Sequence, residues 1–136
     1  MKFGIQLPVR FEHCDPAGIV FYPRYVEMLH RVVEDWFDQG LGLDYRRLHD
    51  ELKSGIPTVR LECDFVRPSR LGDRLDFELA VLEIRSSAFT LAVTAGAGGE
   101  ERLRARLVLV FVTIDGGIDS RPLPESLRAA MTRYLA

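Results

Sequence analysis

The sequence predicts an α+β fold in which one antiparallel sheet curls around a single long helix. Three features carry this. Strand-like alternation dominates after Pro57, one helical apolar stripe stands alone between residues 23 and 40, and short turn segments separate the strands. Successive strands joined by short turns imply antiparallel pairing. A lone striped helix can bury its stripe only against that sheet. No internal repeat, low-complexity tract or linker interrupts the 136 residues, so residues 1–136 are expected to form one domain.

The elements follow in order. Phe3, Ile5, Leu7, Val9 and Phe11 alternate with Lys2, Gln6, Arg10 and Glu12, the period of a strand with one buried face. Asp15-Pro16-Ala17-Gly18 ends it, because proline and glycine punctuate regular structure. Tyr25, Leu29, Val32, Val33, Trp36 and Phe37 then recur at three- and four-residue steps, giving a helix from Pro23 to about Gly40. Pro23 suits its first turn, and Gly40 and Gly42 suit its end. Residues 45–53 read as a short amphipathic helix with Leu48 and Leu52 facing inward.

After Pro57, Val59, Leu61, Cys63 and Phe65 alternate with Arg60, Glu62 and Asp64. A turn at residues 67–73 leads to Leu75, Phe77, Leu79 and Val81, and then to Phe89, Leu91, Val93 and Ala95. Residues 96–101 read as a hairpin loop and residues 102–114 as a long last strand, closed by Asp115-Gly116-Gly117. The run from Leu107 to Val112 fits a strand buried on both faces. Residues 122–136 are expected to form a tail helix with Leu127, Met131, Tyr134 and Leu135 on its inner side.

Composition narrows the function classes. Hydrophobic residues at 47% and charged residues at 28% describe a globular chain rather than a disordered one. A net charge of −2 supplies no general attraction to nucleic acid or anionic membrane, so a polyanionic ligand needs a local basic patch. Cys14 and Cys63 form no C-x-x-C pair, residues 1–10 lack an apolar leader core, and no stretch approaches the ~18 apolar residues of a membrane helix. A soluble cytoplasmic protein with reduced thiols is expected, without nucleic-acid or membrane partners.

Residues 13–23, His-Cys-Asp-Pro-Ala-Gly-Ile-Val-Phe-Tyr-Pro, join the first strand to the long helix. Asp15-Pro16 by itself reads as a turn. Yet Val20, Phe21 and Tyr22 include no Ser, Thr, Asp or Asn to cap the helix. The first-turn N–H groups are then open to an anionic oxygen. A carboxylate just upstream suits acyl transfer: it attacks or activates water while the helix N–H groups hold the oxyanion.

The run Cys14-Asp15-Pro16-Ala17-Gly18-Ile19-Val20, followed by Tyr22-Pro23 and a helix, closely resembles the 4-hydroxybenzoyl-CoA thioesterase family. The resemblance extends through Ile56-Pro57, Phe65-Val66 and Glu83-Ile84-Arg85, though only the first motif is specific. It implies a hotdog fold, no metal or other cofactor, and hydrolysis of an acyl-CoA thioester. It also implies that Asp15 is the catalytic nucleophile or general base and that the backbone N–H of Tyr22 contributes to the oxyanion site. Arg85, Ser86 and Ser87 correspond to the family's basic segment for the CoA phosphates, with only Arg85 keeping the charge; Arg67, Arg70 and Arg74 stand in the neighbouring turn. Thr58 falls in the region that reaches the acyl pocket. Homo-oligomers follow as well, dimers and commonly tetramers, with active sites between subunits.

Other residues invite chemistry less strongly. His13 and Cys14 cannot form a dyad if both lie on a strand, where adjacent side chains face opposite ways. His30 and His49 read as solvated or packing residues, and no His/Cys/Asp spacing resembles a metal site. Glu34 and Asp35, about three turns into the helix, read as solvated or subunit-facing. Arg102, Arg104 and Arg106 read as a solvated strand face, and Gly18 as the flexible point of the turn. Two alternatives remain open: a non-catalytic acyl-CoA-binding subunit, which the retained Asp15 counts against, and a hydratase or dehydratase of the same fold, for which His13 is the nearby histidine.

Overall fold

A computed structural model describes all residues, 1–136. The chain runs β1 (Phe3–Pro8), α1 (Tyr22–Asp35), β2 (Ser54–Gly55), β3 (Thr58–Phe65), β4 (Arg74–Ile84), β5 (Ala88–Ala97), β6 (Glu100–Val110), β7 (Val112–Thr113), β8 (Asp119–Ser120) and α2 (Glu125–Thr132). Five strands form one antiparallel sheet in the order β1-β4-β5-β6-β3. This is the expected α+β plan, with α1 lying across the sheet.

Period-two alternation becomes layered packing across this sheet. Ile5, Phe77, Ala95, Leu103 and Phe65 stand in one cross-strand row, and Phe3, Leu79, Val93, Ala105 and Cys63 in the next. Tyr25, Met28, Leu29, Val32 and Val33 form the buried stripe of α1, and Trp36 and Phe37 extend it. Each fully buried Leu or Phe of this set contributes on the order of 2 kcal/mol by leaving water.

Several expectations are corrected. The first strand stops at Pro8; residues 11–13 form a tight 3-10 turn and Phe11 is 82% exposed. The helical path does reach Gly40, but over residues 36–40 it widens, so that the Leu41 N–H bonds the Trp36 carbonyl five residues back. The next segment is helical over residues 45–51, close to the expected span, with the wider turn at 47–51; Leu48 is buried, whereas Leu52 is exposed. The tail helix is shorter than expected, Glu125–Thr132, and buries Leu127 and Met131; Tyr134, in the turn after it, is buried as well, and Leu135 is not.

Connectivity differs too. β3 and β4 are consecutive in sequence yet not neighbours: β3 crosses to the far edge beside β6, and β4 pairs with β1. A bulge between Thr58 and Arg60 shifts the parity of β3 and turns Val59 to the outer face with Arg60 and Glu62. The Leu107–Val112 run is not buried on both faces, because Val108 and Val110 are half-exposed behind the sheet. It breaks at Phe111 and continues as β7 in a small second sheet, β2-β7-β8, whose last strand follows the Asp115-Gly116-Gly117 turn.

Candidate active site

The segment between β1 and α1 closes into a small hairpin-like loop. Cys14 and Val20 pair antiparallel, the Phe21 N–H donates to the His13 carbonyl at 2.9 Å, and the Asp15 N–H donates to the Ile19 carbonyl at 3.0 Å. At its tip Asp15-Pro16-Ala17-Gly18 is a β-turn, with the Gly18 N–H on the Asp15 carbonyl at 2.9 Å. Proline at the second position supplies the required φ, and Gly18 takes a φ of 80° that a side chain would resist.

Asp15 is therefore a turn residue, and it also presents a carboxylate oxygen. Its Oδ1 accepts the Ala17 N–H at 2.9 Å, while Oδ2 makes no hydrogen bond or ion pair within the chain. The carboxylate is half-buried beside the start of α1.

That helix start is uncapped, as its sequence suggests. Phe21 occupies the cap position with extended φ and ψ of −70° and 125° and no side-chain acceptor. Pro23 has no N–H, and the Arg24 N–H returns to the Phe21 carbonyl at 2.8 Å. The Tyr22 N–H has no acceptor in the chain, so it is the donor that the helix end offers. The Tyr22 phenol is 61% exposed and packs edge-on against Phe21 and Phe65, with ring centroids 5.6 and 6.0 Å away.

A polar anchor that the sequence concealed holds this loop on the sheet. The Val20 N–H bonds the Ser69 carbonyl at 2.9 Å, and Ile19 pairs with Arg70. The 68–73 turn is in turn fixed by Arg102, whose Nη1 donates to Asp73 Oδ2 at 2.7 Å, Ser69 Oγ at 3.1 Å and the Pro68 carbonyl at 3.3 Å. Asp73 Oδ2 also accepts the Arg70 N–H at 2.9 Å. That backbone donor first, and the guanidinium second, hold the Asp73 carboxyl below the usual carboxylate range. Arg102 is thus no solvated residue; its side chain is only 13% exposed. Period-two spacing with Arg104 and Arg106 hid it, since nothing local distinguishes an arginine that meets an aspartate 29 positions away.

His13 and Cys14 form no dyad, for a reason other than strand parity. They sit at the end of the 3-10 turn, where His13 Nδ1 accepts the Arg10 N–H at 2.8 Å and the Cys14 thiol is turned toward the Arg10 carbonyl at 3.6 Å. Burial lowers the His13 pKa. An imidazole committed to the backbone is a poor candidate for a hydratase base. Glu34 and Asp35 likewise pair along α1, with His30 at 3.3 Å and Arg31 at 3.6 Å.

The remaining candidates lie at the other end of the sheet. Thr58 begins β3 and lines a cavity of about 630 Å³ between α1 and the β3–β6 edge. Phe65, which touches Tyr22, ends the same strand seven residues on, roughly 23 Å away in extended chain. Arg85, Ser86 and Ser87 form the β4–β5 connection. The serine carbonyls accept the Leu123 and Phe111 N–H groups at 2.9 and 2.8 Å, and Arg128 donates to the Arg85 and Ser86 carbonyls. Arg85 itself is exposed and paired with Glu83 at 2.9 Å. Within one protomer, then, Asp15 and Tyr22 share the closed segment at the start of α1, while Thr58 and the Arg85 segment lie elsewhere.

Two basic residues stand near Arg85: Arg60, which the sequence places only in a strand alternation, and Arg106, which reads there as a solvated strand face. Arg60 and Arg106 line the same outer-face groove of about 490 Å³. Only the pairing of Glu62 with Arg106, a non-local fact, places them there. Of the alternative cations, Arg67 is engaged by Glu100 at 3.6 Å.

An antiparallel five-stranded sheet around one long helix is the hotdog fold of the solved acyl-CoA thioesterases. The solved 4-hydroxybenzoyl-CoA thioesterase of Pseudomonas sp. superposes with a TM-score of 0.84 at 28% identity, over 95% of this chain and 98% of that one. Curated relatives named 1,4-dihydroxy-2-naphthoyl-CoA hydrolase include one from Synechococcus elongatus, 31% identical over 93% of this chain and 92% of its own. Another, from Acaryochloris marina, is 29% identical over 93% of both. The thioesterase-like superfamily model matches residues 9–131. The chain belongs to the thioesterase-like superfamily, and its chemistry is that of a thioester hydrolase acting on acyl-CoA.

Proposed function

We propose that the protein hydrolyses an aryl-CoA thioester, with Asp15 as nucleophile or general base and the Tyr22 N–H as oxyanion donor. The observation that carries this is the pairing of two unspent groups on one closed loop: Asp15 Oδ2 and the Tyr22 N–H. As nucleophile, the carboxylate adds to the thioester carbonyl, the CoA thiolate leaves, and water hydrolyses the acyl-aspartyl anhydride. As base, it takes the proton of the attacking water. In both, negative charge develops on the carbonyl oxygen and is met by the N–H at the positive end of α1. The thiolate, with a pKa near 8.5 in the cysteine model, departs without a strong general acid. The aryl assignment draws on the relatives, whose names specify a dihydroxynaphthoyl or hydroxybenzoyl group.

A homo-oligomer, a dimer or a tetramer, completes the site in this reading. β3 is an open edge carrying Leu61 and Phe65 at 39% and 47% exposure. Two-fold pairing of these edges sets the Thr58 end of one β3 beside the Phe65 end of the other. Thr58, Arg85, Ser86 and Ser87 of one subunit then serve the Asp15 loop of its neighbour. Arg60 and Arg106 add charge for the CoA phosphates. One thioesterase domain spans residues 1–136, and two free half-buried thiols suit a cytoplasmic setting; no helix is long and apolar enough to cross a membrane.

The test is free-thiol release from a panel of aryl- and alkyl-CoA thioesters by wild type and Asp15→Asn. Asparagine keeps the acceptor for the Ala17 N–H, so the turn persists while the carboxylate is lost. A fall in kcat of about 10³-fold or more is expected. Activity within tenfold of wild type would refute the role of Asp15, and wild type inert on every thioester would leave an acyl-CoA-binding subunit.

A further inference from the structure

The cavity between α1 and β3 contains polar groups that the hydrolytic mechanism does not use. Its walls are mostly hydrophobic, with Val26, Val33, Leu61 and Leu109 among them, and its polar residues include His30, Tyr45 and His49. His30 Nε2 is spent on Glu34 at 3.3 Å. His49 is different.

His49 Nδ1 lies 2.7 Å from the Tyr45 carbonyl oxygen. A carbonyl can only accept, so Nδ1 carries the hydrogen, and in the neutral ring Nε2 presents its lone pair. Nε2 faces Gly55: a methyl group built there would stand 3.7 Å from it. No donor of the chain reaches Nε2. Tyr45 stands edge-on to both imidazoles, with centroids 6.1 Å from His30 and 5.6 Å from His49, which makes this wall of the cavity aromatic. An acceptor set in an apolar, aromatic-walled cavity favours a ligand that is flat and brings a hydroxyl.

We infer that His49 is a specificity residue whose Nε2 accepts a hydrogen bond from a hydroxyl on the aromatic acyl group. The inference rests on the thioesterase reading above and assigns that site its preference. The glycine at position 55 bears on it as well, because a methyl group there would sit in contact with Nε2, at 3.7 Å.

The test compares kcat/KM for 4-hydroxybenzoyl-CoA with benzoyl-CoA, and for 1,4-dihydroxy-2-naphthoyl-CoA with 2-naphthoyl-CoA. Wild type should prefer the hydroxylated member of at least one pair by about tenfold or more. His49→Phe, which keeps a ring and removes the acceptor, should bring that ratio to within about threefold of unity. Gly55→Ala should do the same by crowding Nε2 while His49 itself is kept; its methyl meets its neighbours at 3.5 Å or more, an ordinary contact that leaves the fold intact. A wild type indifferent to the hydroxyl overturns the inference, and so do variants that lose both substrates equally. Failure to hydrolyse any acyl-CoA overturns the thioesterase reading itself, and this inference with it.

Discussion

Arg102→Met removes the guanidinium that fastens the 68–73 turn, and through it the Asp15 loop, to the sheet. Methionine keeps much of the aliphatic stem, so the loss is chiefly polar. The substitution deletes a charge-assisted bond to Asp73 at 2.7 Å, of about 2 kcal/mol, and leaves the fully buried Ser69 without its donor, about 1 kcal/mol more. The expected loss is about 3 kcal/mol, or roughly 10 °C in Tm for a chain of this length. Asp73→Asn keeps an acceptor for the Arg70 N–H and should cost about half as much. The double variant should then be less destabilised than the sum by about 1 kcal/mol, because both changes cut one interaction. Urea unfolding followed by circular dichroism measures all three. Since Ser69 and Arg70 hold Val20 and Ile19, kcat should fall about tenfold in Arg102→Met at a temperature where the variant is folded.

The same pair fixes an acid limb. Asp73 titrates below the ~3.9 of an unfolded chain, so its stabilisation is complete above about pH 5 and is lost as pH falls through the lower folded value. Asp73→Asn should flatten stability against pH in that window. An Arg102→Met loss below 0.5 kcal/mol, or strict additivity with Asp73→Asn, would refute the anchoring argument.

Tyr22→Phe should change kcat by no more than about threefold, because the donor is the N–H and the phenol is exposed; a hundredfold loss in steady-state assays would move the chemistry to the side chain. Leu61→Lys places a charge on the open β3 edge, at a side chain that is 39% exposed within one protomer and otherwise faces the cavity. It should leave the protomer folded, lower the mass seen by light scattering, and reduce kcat/KM about 100-fold or more. Full activity in a monomer would show that one protomer holds the whole site.

Much of the site was legible because its signals are short in range. Asp15, Pro16 and Gly18 read as a turn from composition alone, and the uncapped helix start was visible as three consecutive residues without a capping oxygen. What stayed hidden involves partners far apart in the chain. Arg102 looked like Arg104, and Arg106 looked like both, until the sheet order set one beside Asp73 and another near Arg85. His49 looked like packing until a backbone carbonyl fixed its tautomer.

By itself the sequence determined the α+β plan, the extents of α1 and the four longest strands within a few residues, and the turn that carries Asp15. These follow from periods of 2.0 and 3.6 and from backbone restrictions, which act over a few residues. Only the tertiary structure decided that β3 leaves β4 for the far edge, that a bulge turns Val59 outward, and that Thr58 lies a strand's length from Tyr22. The physical reason is that strand pairing and register are chosen by burial summed over the whole sheet, so no local window contains them.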